Sequence, residues 1–172
     1  AWGREAARRA LAGIGIAPVP LLPDADRVPV WPPGVTGSIS HSGRICGAAV
    51  RRGAGSLGFD IETGKGLAQD LWEEVLTGHE LERLWRLPAP DRPAAALAHF
   101  TAKEAVFKAH FPVYRQMFGF MDAEITAIDA TRFVATFLGR NGNMWATVTG
   151  RWHRDDSCMA SGVLMTSSRQ EG

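Results

Sequence analysis

The sequence predicts an α+β protein built from small antiparallel sheets packed with helices. Three observations lead there. A helical opening is followed by three short strand-like runs, the middle of the chain turns to helical periodicity, and the last third returns to β-branched and aromatic runs. The 172 residues, 45% of them apolar and 22% charged, can bury a sizeable core, as one domain or as two small halves sharing an interface.

Gly3 to Gly13 reads as a short helix with Ala6, Ala7, Ala10 and Leu11 on its apolar side; Gly13 and Gly15 end it. Residues 17 to 36 are rich in proline and glycine and form a long irregular connection, which Trp31 should dock onto the core. Strand candidates follow at Gly37–Ser40, Cys46–Arg51 and Leu57–Glu62, separated by turns at Gly43 and Gly53-Ala54-Gly55; the spacing predicts an antiparallel meander. Leu67, Leu71, Trp72 and Val75 make an amphipathic segment. Thr77-Gly78-His79-Glu80 is a capping-box signature opening another helix, which Pro88-Ala89-Pro90 breaks.

A long helix is expected from Asp91 to just before Pro112, because a proline disfavours helical geometry in the residue before it. Its apolar stripe, Leu97, Phe100, Phe107 and Phe111, should face a core, with Glu104 inside the stripe and Lys108 at its edge. Glu124–Ile128, Arg132–Leu138, Met144–Trp152 and Cys158–Thr166 read as strands, with Asn141-Gly142 turning between the second and third, and a frayed tail from Ser167.

Composition excludes several classes. A net charge of +1 argues neither for nor against a nucleic-acid partner, and no lysine-rich tract or basic helix face stands out. No apolar run of about 18 residues is present to span a membrane, and no signal peptide opens the chain. Cys46 and Cys158 are far apart and outside any C-x-x-C, so neither a disulfide framework nor a zinc knuckle is implied, and a cytoplasmic location is the default. The chain opens at Ala1 in the lead-in to a helix, so a further N-terminal piece is expected. No G-x-S-x-G, P-loop or G-x-G-x-x-G occurs.

Chemistry concentrates in three stretches. In Leu57-Gly58-Phe59-Asp60-Ile61-Glu62, strand alternation puts Phe59 and Ile61 on one face and Asp60 and Glu62 on the other, roughly 6.6 Å apart along the chain. Two carboxylates at that spacing can reach one hard, oxygen-loving cation, Mg²⁺ before Zn²⁺; plain solvent-facing alternation is the simpler account unless a third ligand exists. Glu104 is the natural third: an acid against a core costs desolvation free energy unless a cation or donor meets it. A Glu104–Lys108 pair one turn apart is the alternative. Against it, the sequence holds sixteen arginines and three lysines, and two of those lysines, Lys103 and Lys108, flank Glu104. In Gly37-Ser38-Ile39-Ser40-His41-Ser42-Gly43, hydroxyls, an imidazole and turn N–H groups are donors suited to phosphate, although an incidental serine-rich turn would look the same.

Taken together, Ser-Ile-Ser-His-Ser, then Gly-Phe-Asp-Ile-Glu, then Phe-Thr-Ala-Lys-Glu-Ala-Val-Phe-Lys resembles the 4′-phosphopantetheinyl transferases, in detail the two-subdomain type that activates siderophore and peptide synthetases. The likeness runs from the Gly3–Arg8 helix to the loop at Phe120. It implies two pseudo-twofold-related halves, residues 1–56 and 57–172, the first lacking its opening strand, with the active site in the cleft between them. Coenzyme A would be the substrate, its diphosphate bridged to Mg²⁺ (or Mn²⁺) held by Asp60, Glu62 and Glu104. Lys108 would contact a phosphate, and Ser40 and His41 would hold coenzyme A phosphates. Arg4 and Arg27 would serve the nucleotide end, and Lys103 joins the coenzyme A contacts. Glu104, directly or through water, would be the base that activates a serine of an apo carrier protein, with 3′,5′-adenosine bisphosphate leaving. Phe100 stands where the family often has tryptophan, and the N-terminus is short. The protein is expected to be a monomer without a nucleic-acid or membrane partner. The alternatives are a non-catalytic coenzyme A- or carrier-binding relative of the same fold, and a metal-dependent nuclease, which the lack of a basic surface disfavours.

Overall fold

The structure is a computed structural model and describes residues 2–17, 19–138 and 147–166. Helix α1 (Trp2–Gly13) packs on a two-stranded antiparallel sheet, β1 (Val35–Ser42) and β2 (Ile45–Arg52). Five further antiparallel strands form a second sheet in the order β3-β7-β6-β5-β4: β3 (Ser56–Thr63), β4 (Ala123–Ile128), β5 (Arg132–Phe137), β6 (Thr147–Arg154) and β7 (Cys158–Met165). Between β3 and β4 the chain forms α2 (Trp72–Val75), α3 (Gly78–Trp85) and the long α4 (Arg92–Tyr114). The α+β class is therefore as expected. The Asn141-Gly142 turn, the start of the strand read from Met144 and the tail from Ser167 lie outside the described residues. Among the described residues, no helix is long and apolar enough to cross a membrane.

Local chemistry explains most element boundaries. Ala7 and Leu11 of α1 are fully buried and pack with Leu21, Trp31, Ile39 and Val50, so the proline-rich connection is docked as Trp31 predicts. A Cβ at Gly37 would strike the Trp31 ring, which is why the strand opposite the indole carries glycine. Within the connection, the Asp24 carboxylate accepts the Asp26 and Val28 N–H groups, and Arg115 bridges Asp24 at 2.7 Å and Asp26 at 2.9 Å. The capping box of α3 forms as read: Thr77 accepts the Glu80 N–H and Glu80 accepts the Thr77 N–H.

Three expectations need correction. First, β1, β2 and β3 are not a meander. β3 leaves β2 at the Gly53–Gly55 turn, where both glycines have positive φ, and pairs with β7 from Ser56↔Met165 to Thr63↔Cys158. β1 still lies along β3, but side-chain hydroxyls make the connection: Ser38 Oγ donates to the Phe59 carbonyl at 3.3 Å and Thr63 N–H donates to Ser42 Oγ at 3.1 Å. Second, α4 runs through Pro112 and stops at Arg115, whose φ of 54° is left-handed. Proline near a helix end removes one hydrogen bond at a point where the ladder is about to finish, so the break comes at the left-handed residue instead.

Third, the face of α4 nearest the sheet is not the aromatic stripe. Ala102, Ala105 and Ala109 are fully buried, while Phe100, Phe107 and Phe111 are half-buried. Small side chains let the helix backbone approach β3 until only glycine fits beneath it. A Cβ at Gly58 would overlap the Ala105 carbonyl and lie 2.6 Å from Ala109 N. Thr101 adds a hydrogen bond of 2.9 Å to Ser161 on β7, fixing the helix over the β3–β7 pair.

Two measurements test this packing. Gly58→Ala should destabilise the protein by about 3 kcal/mol or more in denaturant unfolding, since backbone rather than a flexible side chain must move. His110 is fully buried against Tyr114, Phe118 and Phe137. Neither of its ring nitrogens has a hydrogen-bond partner, and burial holds its pKa below the ordinary value. The unfolded chain then takes up a proton that the native ring resists, so stability should fall as pH drops below about 6.5. His110→Phe should remove that part of the slope and add about 1 kcal/mol or more at neutral pH; an unchanged slope would count against the buried neutral ring.

Candidate active site

Side chains from β1, β3 and α4 meet where the helix crosses the strands. Alternation along β3 sends Gly58, Asp60 and Glu62 to the face that α4 covers. The glycine admits the helix, and the two acids beyond it meet the next turns of α4. Asp60 is 2% exposed. Its Oδ1 accepts the Ser40 hydroxyl at 2.8 Å and the Lys108 ammonium at 2.6 Å, while Oδ2 is buried with no partner. Lys108 also donates to Ser40 Oγ at 3.0 Å. An ammonium has three donors, and these contacts account for two of them.

Glu62 lies two residues further along and accepts the Ser42 hydroxyl at 2.6 Å. Its pKa is pushed up, mainly by burial; the Ser42 hydrogen bond opposes this and the Asp60 charge adds to it. Glu104 on α4 is also pushed up, first by burial, then by Asp60, with a further contribution from Glu62 and opposition from Lys108. Glu104 therefore feels both other carboxylates of the group, and Glu62 feels Asp60. Among the described residues, no three His, Cys, Asp or Glu side chains are already arranged to hold a metal ion. The alternative, a Glu104–Lys108 pair, does not form: Lys108 turns to Asp60, the more buried acid.

Two kinds of hollow adjoin this cluster. Beyond the open end of β1, a cavity of about 570 Å³ is lined by Trp2, Gly3, His41, Gly43, Arg44 and Cys46. His41 is exposed there and close enough for its charge to act on Glu62. On the other side, Glu104 walls a pocket of about 170 Å³ with Phe107, Met117, Phe118 and Phe120. Lys108 and Arg27 wall a neighbouring one of about 380 Å³ that shares Phe107 and Met117.

The structure thus brings Asp60, Glu62, Glu104, Lys108 and Ser40 together and puts His41 at the mouth of the larger cavity. Arg27 reaches the Lys108 side, held at a left-handed φ of 66°. Arg4 is exposed on α1, one residue past Gly3. Ser40 is buried and bonded to Asp60 and Lys108, away from the open turn. Lys103 points elsewhere altogether: its ammonium is 1% exposed and meets Glu80, Val75 and Phe120. Successive helical residues are about 100° apart, so the Lys103 ammonium turns away from the acid cluster although both residues line the small pocket. Arg44, Ser42 and the Phe118–Phe120 wall were not singled out in the sequence. Only Ser42 carried a signal, lying two residues beyond Ser40 on one strand face.

The electrostatics give a stability test. The folded-state pKa of Glu104 lies above its unfolded value, so ionising it in the native protein costs stability at neutral pH, and the cost disappears once both states are protonated. Without divalent cations, Glu104→Gln should raise the melting temperature at pH 7 by a few degrees, on the order of 2–4 °C, and the gain should vanish near pH ~4. A gain that persists at acid pH would point to packing rather than charge.

Two family models and several curated relatives match this sequence. Residues 1–51 match the 4′-phosphopantetheinyl transferase N-terminal domain, and residues 56–160 match the 4′-phosphopantetheinyl transferase superfamily. The 4′-phosphopantetheinyl transferase PptT of Mycobacterium tuberculosis is 31% identical, over 94% of this chain and 76% of its own length. The 4′-phosphopantetheinyl transferase Svp of Streptomyces mobaraensis is 35% identical, over 95% of this chain and 70% of its own. Enterobactin synthase component D of Escherichia coli K12 is 39% identical, over 84% of this chain and 66% of its own. The superfamily match spans Asp60, Glu62, Glu104 and Lys108, the four side chains that the fold gathers from β3 and α4, and so the chain belongs to the 4′-phosphopantetheinyl transferase superfamily.

Proposed function

We propose that this protein transfers the 4′-phosphopantetheine arm of coenzyme A to a serine of an apo carrier protein, acting as a monomer in the cytoplasm. One observation carries the residue assignment: three carboxylates, of which Asp60 raises the pKa of both Glu62 and Glu104, gather round a single ammonium beside a pocket walled by aromatic rings, with His41 leading to a larger cavity. Such a cluster suits a reaction whose charged centre is a diphosphate and whose transferred group is a long, flexible chain. We place the boundary between the two halves at residues 56/57.

Asp60, Glu62 and Glu104 fit a hard divalent cation by their chemistry. They are oxygen donors without sulfur or imidazole, they repel one another, and Asp60 keeps a buried oxygen without a partner. Mg²⁺ bound there would neutralise charge on the diphosphate and orient it. The chain's own residues supply the rest. Lys108 has one donor left for a phosphate oxygen. His41 and Arg44 line the cavity that would take the nucleotide phosphates, and the exposed Arg4 follows Gly3 of its wall in the chain. The aromatic pocket beside Glu104 takes the pantetheine chain.

In the reaction the carrier serine hydroxyl loses its proton to Glu104, directly or through one water, and its oxygen bonds to the phosphorus that bears pantetheine. The phosphoanhydride bond breaks, and 3′,5′-adenosine bisphosphate leaves with the bridging oxygen. A carboxylate whose pKa is raised by burial is a better base than a free one. Transfer of this kind depends on positioning and charge neutralisation more than on covalent help.

Mass spectrometry of apo carrier proteins incubated with coenzyme A, Mg²⁺ and this protein should show one serine gaining the arm. Asp60→Ala and Glu62→Ala should each slow this by about a hundredfold or more while remaining folded, EDTA should stop it, and Mn²⁺ should replace Mg²⁺. No mass gain on fatty-acid, polyketide or peptide-synthetase carriers would overturn the proposal, and full activity in either acid variant would remove the metal assignment.

A further inference from the structure

Lys103 and Glu80 form an ion pair inside the protein, at 1% and 0% exposure, with 2.6 Å between Nζ and Oε2. The other two ammonium donors reach the Val75 and Phe120 carbonyls, each at 2.8 Å. On the acid's side, Oε2 accepts the Thr77 N–H at 2.7 Å and Oε1 accepts the Ile125 N–H at 2.6 Å. Every donor of the ammonium is satisfied, so Lys103 has nothing left to offer a ligand. Five segments are tied together: the end of α2, the start of α3, the turn at Phe120–Asp122, the beginning of β4, and α4 at the residue preceding Glu104.

A buried pair of this sort contributes little net stability, because desolvation of both charges offsets their attraction. Its directional bonds do fix positions. The Phe120 carbonyl that Lys103 holds belongs to the segment Phe118-Gly119-Phe120, which forms the wall of the pocket opposite Glu104. Phe120 also packs on Phe100 of α4 at 5.5 Å between ring centroids. The lysine thus sets both sides of the pocket: one through its own helix, the other through the carbonyl it grips.

We infer that Lys103 and Glu80 are positioning residues that hold the Phe118–Phe120 wall against α4, and so fix the width of the pocket that receives the pantetheine chain of the transferred group. The inference rests on the transferase reading. Neither residue touches reacting atoms. The pair selects for the chain rather than for the nucleotide, whose cavity lies at the far end of β1.

The double variant Lys103→Met, Glu80→Gln leaves no buried charge and keeps one acceptor oxygen for the Thr77 or the Ile125 N–H group. Binding of coenzyme A and of 3′,5′-adenosine bisphosphate, which lacks the pantetheine chain, is measured by calorimetry beside melting temperature and carrier modification. The double variant should melt cooperatively and bind the bisphosphate with unchanged affinity. It should lose about tenfold or more in coenzyme A affinity and about a hundredfold in kcat. Unchanged coenzyme A binding and turnover would overturn the inference, as would an equal loss for both ligands, which would mark a general structural role. Should the double variant not fold, Lys103→Met alone carries the test, since it removes the grip on the Phe120 carbonyl and leaves both Glu80 oxygens to the Thr77 and Ile125 N–H groups; the same selective loss supports the inference, and no loss or an equal loss overturns it. A wild-type protein that modifies carriers while the variants discriminate as it does sinks this inference alone. One that binds coenzyme A no better than the bisphosphate and modifies no carrier sinks both.

Discussion

The close approach of α4 to β3 is the constraint on which the rest of the molecule depends. At Gly58 the helix backbone lies where a side chain would otherwise be, and the alanines at 102, 105 and 109 are small enough to permit it. From that contact the chemistry follows by periodicity. Two and four residues along the strand, the side chains on the same face are carboxylates; on the helix, Glu104 and Lys108 lie one turn apart beside them. A larger residue at 58 would move the helix outward and separate the two carboxylates of the strand from the third on the helix.

The cluster is electrostatically tense. Three acids and one ammonium share a half-buried volume, and both Glu62 and Glu104 are harder to ionise than free glutamates. Lys108 relieves part of this through Asp60, and the serines of β1 relieve more by donating their hydroxyls. Those serines have a second role. They join β1 to β3 without a backbone ladder, so the first sheet is held to the second by the same groups that support the acids. In this region the features that hold the fold and those that carry charge are hard to separate, which is common where a site is formed between sheets.

The readable part of the site was whatever depends on local period. Asp60 and Glu62 share a strand face by alternation, Glu104 departs from an apolar stripe, and the Thr77–Glu80 box announces its helix. Lys103 was misread because it stands next to Glu104 in a motif, although the helical rotation between neighbours sends it to the opposite side, where Glu80 waits 23 positions earlier in the chain. Ser40 was read as a phosphate donor because its partner Asp60 lies across a strand contact that no local pattern reveals. The meander failed for the same reason. Nothing within residues 35–63 shows that the third strand will prefer β7 over its immediate predecessor.

That pairing has a consequence for how the protein comes into being. β3 joins a partner about a hundred residues later in the chain, so its sheet edge stays unmatched through most of synthesis. Asp60 and Glu62 lie on that strand, and α4 is fastened to its partner through Thr101 and Ser161. A nascent chain that has released α4 but not β7 carries every acid of the site without the frame that sets them against each other. The protein therefore completes the sheet behind its charge cluster late, and a ribosome-bound fragment ending before Cys158 has only the contacts of β3 with α4 and β1 to hold it.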